Sequence, residues 1–201
     1  IEKKAKKQRA KGVRTNDLEE FMALEELKQK EEELLSIIPK DRKRSYEMRD
    51  IVKLVFDKDS FFEMTKFFGK GIITGFARIN GFPVAIFAND SNFYAGSMSA
   101  EGAQKTSRFI RLCDTFRIPI VSLVDEPGFL IGPDAERAGT ILHGTEAVLA
   151  TTESKVPWTT IMIRKSFGVA AAALRTRWLC SCLAISRVRT SASGRRGCSR
   201  I

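Results

Sequence analysis

Apolar positions recur at spacings of three and four along residues 17–38, at Leu18, Phe21, Leu24, Leu27, Leu34 and Ile38. That spacing predicts an amphipathic helix. Asp17 is placed to cap its start, with Glu20 three residues on as in a capping box, and Pro39 ends it. Two readings of this helix stand side by side: a linker or partner helix, and a helix docked on its own domain. The charged joint PKDRKRSY then marks a boundary. Met48, Ile51, Val52 and Val55 predict a short helix, and Phe61, Phe62 and Met64 a brief strand. Two apolar strands, about 72–79 and 82–88, flank Asn80-Gly81, the dipeptide favoured in two-residue hairpin turns.

A long helix is expected over roughly 99–117, with Ala103, Phe109, Ile110, Cys113 and Phe116 on one face. Arg117-Ile118-Pro119 stops it, and Ile120 to Val124 read as a buried strand leading into the loop DEPGFLIGPD. A second helix is expected over about 134–153, with Ala138, Ile141, Leu142, Val148 and Leu149 aligned. Pro157 breaks that pattern, Trp158 to Ile163 form another buried strand, and RKSFGVAAAAL is a Gly-marked turn into an Ala-rich helix. Strands alternating with helices, and strands that are continuously apolar, argue an α/β fold. After Ala173 the periodicity ends: residues 174–201 are rich in Arg, Ser and Cys and contain no acid.

The chain's 201 residues and 43% hydrophobic content suit one domain, or one domain with a tail. No apolar run approaches the roughly 18 residues of a membrane span. The first ten residues, IEKKAKKQRA, lack the apolar centre of a secretory signal. The net charge is +10, but residues 1–14 carry +6 and residues 174–201 carry +7, which leaves the middle at −3. Basic charge confined to two ends argues against a nucleic-acid-binding domain. Cys113 sits in a helical pattern as a small core residue, while Cys180, Cys182 and Cys198 fall in the tail. No disulfide framework and no zinc spacing emerges, so a reducing compartment is expected, the cytoplasm or alternatively the mitochondrial matrix.

Side-chain catalysts are scarce. The single histidine, His143, lies within the second helix and reads as structural or exposed. No nucleophile elbow, phosphate loop or dinucleotide fingerprint is present, and no cluster has metal-ligand spacing. Two loops after strands remain. Asp125-Glu126-Pro127-Gly128-Phe129 sits where an α/β sheet places its ligand crevice, or is a plain connection with its acids facing water. Phe167-Gly168-Val169-Ala170 turns from strand to helix. Its first N–H groups suit a developing oxyanion, although tight packing by alanines explains the residues at least as well.

Four ordered motifs decide between these readings: SYEMRDIV, ITGFARINGFPVAIFAND, KTSRFIRLCDTFRIPIVSLVDEPGFLIG and RKSFGVAAAA. Together, over roughly 45–173, they resemble the C-terminal half of the carboxyltransferase β subunits of biotin-dependent propionyl-CoA and acetyl-CoA carboxylases. The resemblance implies a crotonase-like α/β spiral of strand–strand–helix units. It implies transfer of a carboxyl group from carboxybiotin, presented by a biotin carboxyl carrier and its biotin carboxylase subunit, to the α-carbon of an acyl-CoA. Backbone N–H groups would hold the developing charges, which accounts for the missing catalysts and asks for no metal. By resemblance, Val169 and Ala170 would supply the biotin-side oxyanion hole, Gly168 would shape its turn, and Pro127, Gly128 and Phe129 would line the biotin cleft. Val169 departs from the Gly-Gly-Ala of many relatives, and a backbone donor tolerates that while φ stays negative. Relatives assemble as homo-hexamers with active sites where opposite halves meet.

The expected organisation is a basic, helical bridging segment over 1–44, the partial carboxyltransferase domain over 45–173, and an aberrant tail over 174–201. The acyl-CoA-holding half is absent, so the chain is expected to be a fragment, inactive alone. The tail is expected to be an out-of-frame reading of a G/C-rich gene. The same resemblance leaves room for a subunit of a biotin-dependent decarboxylase or transcarboxylase, or for a non-catalytic assembly protein.

Overall fold

The computed structural model describes residues 26, 29–39, 41 and 44–173. Both basic ends, the start of the 17–38 helix, Cys180, Cys182, Cys198 and the whole 174–201 tail lie outside the described residues. Residues 29–37 are helical where described, and Leu34, Ile37 and Ile38 pack against the apolar core, so this part docks on its own domain.

The elements in order are α1 (Met48–Val55), β1 (Phe62–Met64), β2 (Ile72–Ile79), β3 (Phe82–Asn89), a 3-10 turn (Tyr94–Gly96), α2 (Ala100–Phe116), β4 (Ile120–Glu126), α3 (Pro133–Arg137), α4 (Thr140–Glu153), β5 (Trp158–Ser166) and α5 (Gly168–Ala173). One sheet runs in the order β1-β2-β3-β4-β5. Its first three strands pair antiparallel, and β3, β4 and β5 pair in parallel. The hairpin forms as expected: Asn80 and Gly81 both take positive φ, +50° and +82°, the geometry of a type I′ turn. The Asp57 carboxylate accepts from both turn amides, at 3.0 and 2.7 Å. Parallel pairing then requires crossovers, which α2 and α4 provide.

Alternation along the strands builds a core on each face. On β3, Ala85 and Phe87 turn toward α2 and α4, joining Met98, Phe109, Ile110, Cys113 and Trp158. Val84, Ile86 and Ala88 turn the other way, onto Met48, Ile51 and Val52 of α1. Cys113 is fully buried, and burial pushes its thiol up to about 12, which leaves it a small hydrophobe. Trp158 keeps its indole N–H satisfied in this core by donating to Ser122 Oγ at 3.0 Å. Among the described residues no helix is long and apolar enough to cross a membrane.

Two expectations need correction. Phe116, assigned to the buried face of α2, is exposed, because Arg117 adopts a left-handed conformation that ends the helix one residue later. The 134–153 helix is two helices, broken at Gly139 with φ +74°. Its supposed inner face is reversed: Ile141, Leu142 and Leu149 are exposed, while Thr140, Gly144, Ala147, Ala150 and Thr151 are buried. Small residues let α4 lie close on α2, so the bulkier side chains are left outside.

Candidate functional site

Strand β4 ends at Glu126, and Pro127, Gly128 and Phe129 turn out of the sheet. Gly128 has φ +128°, a backbone that a side chain rarely adopts. The loop is held by the segment before α2: Met98 N–H donates to Gly128 O at 3.0 Å, and Leu130 N–H donates to Met98 O at 2.9 Å. Gly96, with φ +90°, brings that segment so close that a Cβ there would collide with the Asp125 carbonyl. Asn89 strengthens the junction, its side chain accepting from Asp125 N–H at 3.3 Å and donating to Gly96 O at 3.4 Å. The Phe129 ring turns inward onto α4. A Cβ on Gly144 would lie 2.6 Å from that ring, so the ring occupies the space that the glycine leaves.

The second loop emerges beside the first. Phe167 N–H donates to Glu126 O at 3.1 Å, and a Cβ on Gly128 would stand 4.0 Å from Phe167 O. The structure thus brings the Pro127–Phe129 and Gly168–Ala170 segments together. Gly168 starts α5 with φ +71°, and a Cβ there would meet none of the described residues within 4 Å. Ala170 is buried, whereas Phe167, Val169 and, on the neighbouring loop, Ile131 are exposed. The N–H groups of a helix's first turn have no carbonyl one turn back to bond to. This corner therefore offers backbone donors beside an apolar rim and open space.

Two carboxyls lie beneath it, and neither faces water. Asp125 and Glu126 are both fully buried. Asp125 accepts from Tyr46 Oη at 2.8 Å and from Lys165 N–H at 3.0 Å, and pairs with Arg164 at 3.0 Å. The Arg164 guanidinium also lies 4.9 Å from the Tyr46 ring centroid and donates to Arg44 O. Burial, with the Asp125 carboxylate next, pushes the Tyr46 phenol far above its usual range. Among the described residues, neither carboxylate oxygen of Glu126 has a hydrogen-bond partner. Burial pushes its carboxyl up to about 8, and the Asn89 amide, nearby but outside bonding geometry, opposes this only in part.

The remaining polar candidates are accounted for elsewhere. His143 bridges α2 and α4, with Nε2 2.8 Å from Gln104 Nε2 and Nδ1 3.3 Å from Glu146. Among the described residues no group of three His, Cys, Asp or Glu side chains is placed to hold a metal ion. The Tyr94–Met98 segment was not anticipated as part of the site. Its signal in the sequence is slight, since Gly96 stands in a stretch with no apolar period, and its role depends on contacts with a loop some thirty positions later.

The model of the carboxyl transferase domain matches residues 9–192. The chain belongs to the carboxyl transferase domain family. The matched stretch extends beyond 45–173 at both ends. The carboxyltransferase subunit of propionyl-CoA carboxylase from Haloferax mediterranei is 42% identical over 137 residues, covering 68% of this chain and 27% of that protein. The methylmalonyl-CoA decarboxylase subunit alpha of Veillonella parvula is 41% identical over 138 residues, covering 69% and 27%. The structure of transcarboxylase 12S, solved with methylmalonyl-coenzyme A and methylmalonic acid bound, superposes with a TM-score of 0.69 at 37% identity, covering 71% of this chain and 28% of its own. The chain spans little more than a quarter of the length of the relatives it matches. Its α/β architecture with a mixed sheet is the crotonase-like fold of carboxyl transferase domains, of which it covers part.

Proposed function

We propose that this chain is the biotin-side part of an acyl-CoA carboxyltransferase, and that its site is the corner where the Pro127–Phe129 and Gly168–Ala170 loops meet. The observation that carries this reading is the convergence of those loops at a helix start, with Val169 exposed and, among the described residues, open space at Gly168. Exposed Phe167, Val169 and Ile131 beside the glycine backbones of Gly128 and Gly168 fit a small, largely apolar ring that bears one polar carbonyl. When bound, carboxybiotin supplies the carboxyl group destined for the α-carbon of propionyl-CoA or acetyl-CoA. The N–H groups of Val169 and Ala170 donate to the ureido oxygen and meet the charge that develops there. Gly168, with φ +71°, turns the chain from β5 into the helix that carries these amides. Pro127 and Gly128 form the cleft wall, and Phe129 completes it by bracing the loop on Gly144.

In this reading the domain proper is 45–173, with a bridging segment before it and residues 174–201 as a separate tail. The acyl-CoA is held by a second half, the biotin arrives on a carrier protein, and the assembly is a homo-oligomer. A reading as the carboxyltransferase subunit of a biotin-dependent decarboxylase or transcarboxylase uses the same residues. Near-equal identity to the carboxylase and the decarboxylase subunits supports keeping it.

The test combines the chain with a carboxylated biotin carrier, propionyl-CoA and a complementary N-terminal half. Turnover is expected only with the complement. Val169→Pro deletes one donor in the first turn of α5, where proline is tolerated. It is expected to lower kcat by roughly 10²–10³-fold, while Val169→Ala leaves kcat unchanged. No turnover with the complement, or wild-type kcat in Val169→Pro, overturns the assignment.

A further inference from the structure

A cavity of about 260 Å³ lies between β1, β2 and α2. Its walls are mainly apolar, from Met64, Phe68, Phe109 and Leu112, and it holds two cations, Lys105 and Arg108. Lys105 is buried, with only 3% of its surface exposed. Lysine is almost never buried without an anionic partner. Here its ammonium donates to two neutral carbonyls, Thr65 O at 3.0 Å and Ile72 O at 2.6 Å, which use two of its three N–H groups. The nearest carboxylate, Glu63, is held instead by a bidentate pair with Arg49, at 2.7 and 2.9 Å. Arg108 is exposed and stands 5.9 Å from the Phe68 ring centroid. The cavity therefore combines a mostly apolar wall with an under-compensated positive end.

We propose that this cavity binds a medium-chain monocarboxylate, with its carboxylate on Lys105 and Arg108 and its tail among Met64, Phe68, Phe109 and Leu112. A cavity of about 150 Å³ accommodates six-carbon benzene, so this one holds about ten heavy atoms, the size of octanoate. The carboxylate takes the third N–H of Lys105, and the chain covers the apolar wall. None of these residues belongs to the loops after β4 and β5, so the proposal stands apart from the carboxyltransferase reading. Burial lowers Lys105 to about 8; Glu63 of β1 opposes that shift, and Arg49 of α1 adds to it. Arg108, one turn along α2, is the other cation facing the carboxylate. Lys105 is thus charged below about pH 8 and neutral above it, while the ligand stays ionised throughout.

The experiment titrates the full chain with octanoate, octanol and acetate by isothermal calorimetry, with far-UV circular dichroism as the check on folding. One-to-one octanoate binding is expected, at least tenfold tighter than either octanol or acetate. Raising the pH from 7 to 9 is expected to weaken octanoate about tenfold. Lys105→Met is expected to weaken it at least tenfold and to remove that pH dependence. Lys105 also staples the β1–β2 connection, so Leu112→Trp provides a second probe: it fills the cavity, keeps both cations and is expected to abolish binding. Absence of saturable octanoate binding, equal affinity for octanol and octanoate, or wild-type affinity in a folded Leu112→Trp overturns the proposal.

Discussion

Asp125 and Glu126 are neighbours in sequence and equally buried, yet they sit on opposite faces of β4 and meet burial in opposite ways. On the face that carries α1, Asp125 is saturated by Tyr46, Arg164 and the Lys165 amide. On the other face, Glu126 has no donor for either oxygen among the described residues, and its carboxyl is held up at about 8. One face keeps a charge by surrounding it with donors; the other keeps a carboxyl by leaving it protonated near neutrality. A buried carboxyl is therefore not one kind of group, and the two predict opposite responses to mutation.

The sharpest break is Arg164→Met, which strands the Asp125 charge. It is expected to cost about 3–5 kcal/mol, read as a lower urea midpoint at pH 7. A cost under about 1 kcal/mol would show that Asp125 is satisfied without its cation. Glu126→Gln tests the other face, and its sign is reversed. The folded-state value of Glu126 lies above its ordinary 4.5, so ionisation works against the fold. Its burden is absent below about pH 4.5 and grows as the pH rises toward 8. Glu126→Gln is expected to raise stability by about 1–3 kcal/mol at pH 7 and to change nothing at pH 4. Thermal melts at both values decide this, and a stability loss at pH 7 would mean that Glu126 has donors of its own. Smallest is Tyr46→Phe, which removes one donor from Asp125 while leaving the others. About 1–1.5 kcal/mol is expected, and a cost matching that of Arg164→Met would make the hydroxyl, rather than the guanidinium, the main compensation.

The sequence exposed what rests on neighbours along the chain. Asn80-Gly81 announced its hairpin because both residues tolerate positive φ, and the strands on either side alternate faces cleanly. The Pro127–Phe129 and Gly168–Ala170 loops were visible as glycine-marked turns after strands. What stayed hidden rests on contacts between distant segments. The inner face of α4 carries Gly144, Ala147, Ala150 and Thr151, which no hydrophobic period would single out, so the larger Ile141 and Leu142 pointed to the wrong side. Asp125 and Glu126 read as candidates for solvent because an acid's partner, Arg164 in one case and no described residue in the other, is a property of the folded sheet. Gly96 and Met98 joined the site only through a bridge to a loop that follows the whole of α2.

The order of the sheet carries a consequence for how the chain comes to be made. Strands β1 to β5 lie side by side in the sequence in which they are synthesised. Each strand emerging from the ribosome finds its partner already present and never waits for one still untranslated. The longest waits are the crossovers through α2 and through α3 and α4, and the pairings before them are antiparallel neighbours joined by short connections, the second a two-residue hairpin that closes fast. A nascent chain can thus lay down this sheet one edge at a time, and the exposed edge at any moment is the next strand's landing place.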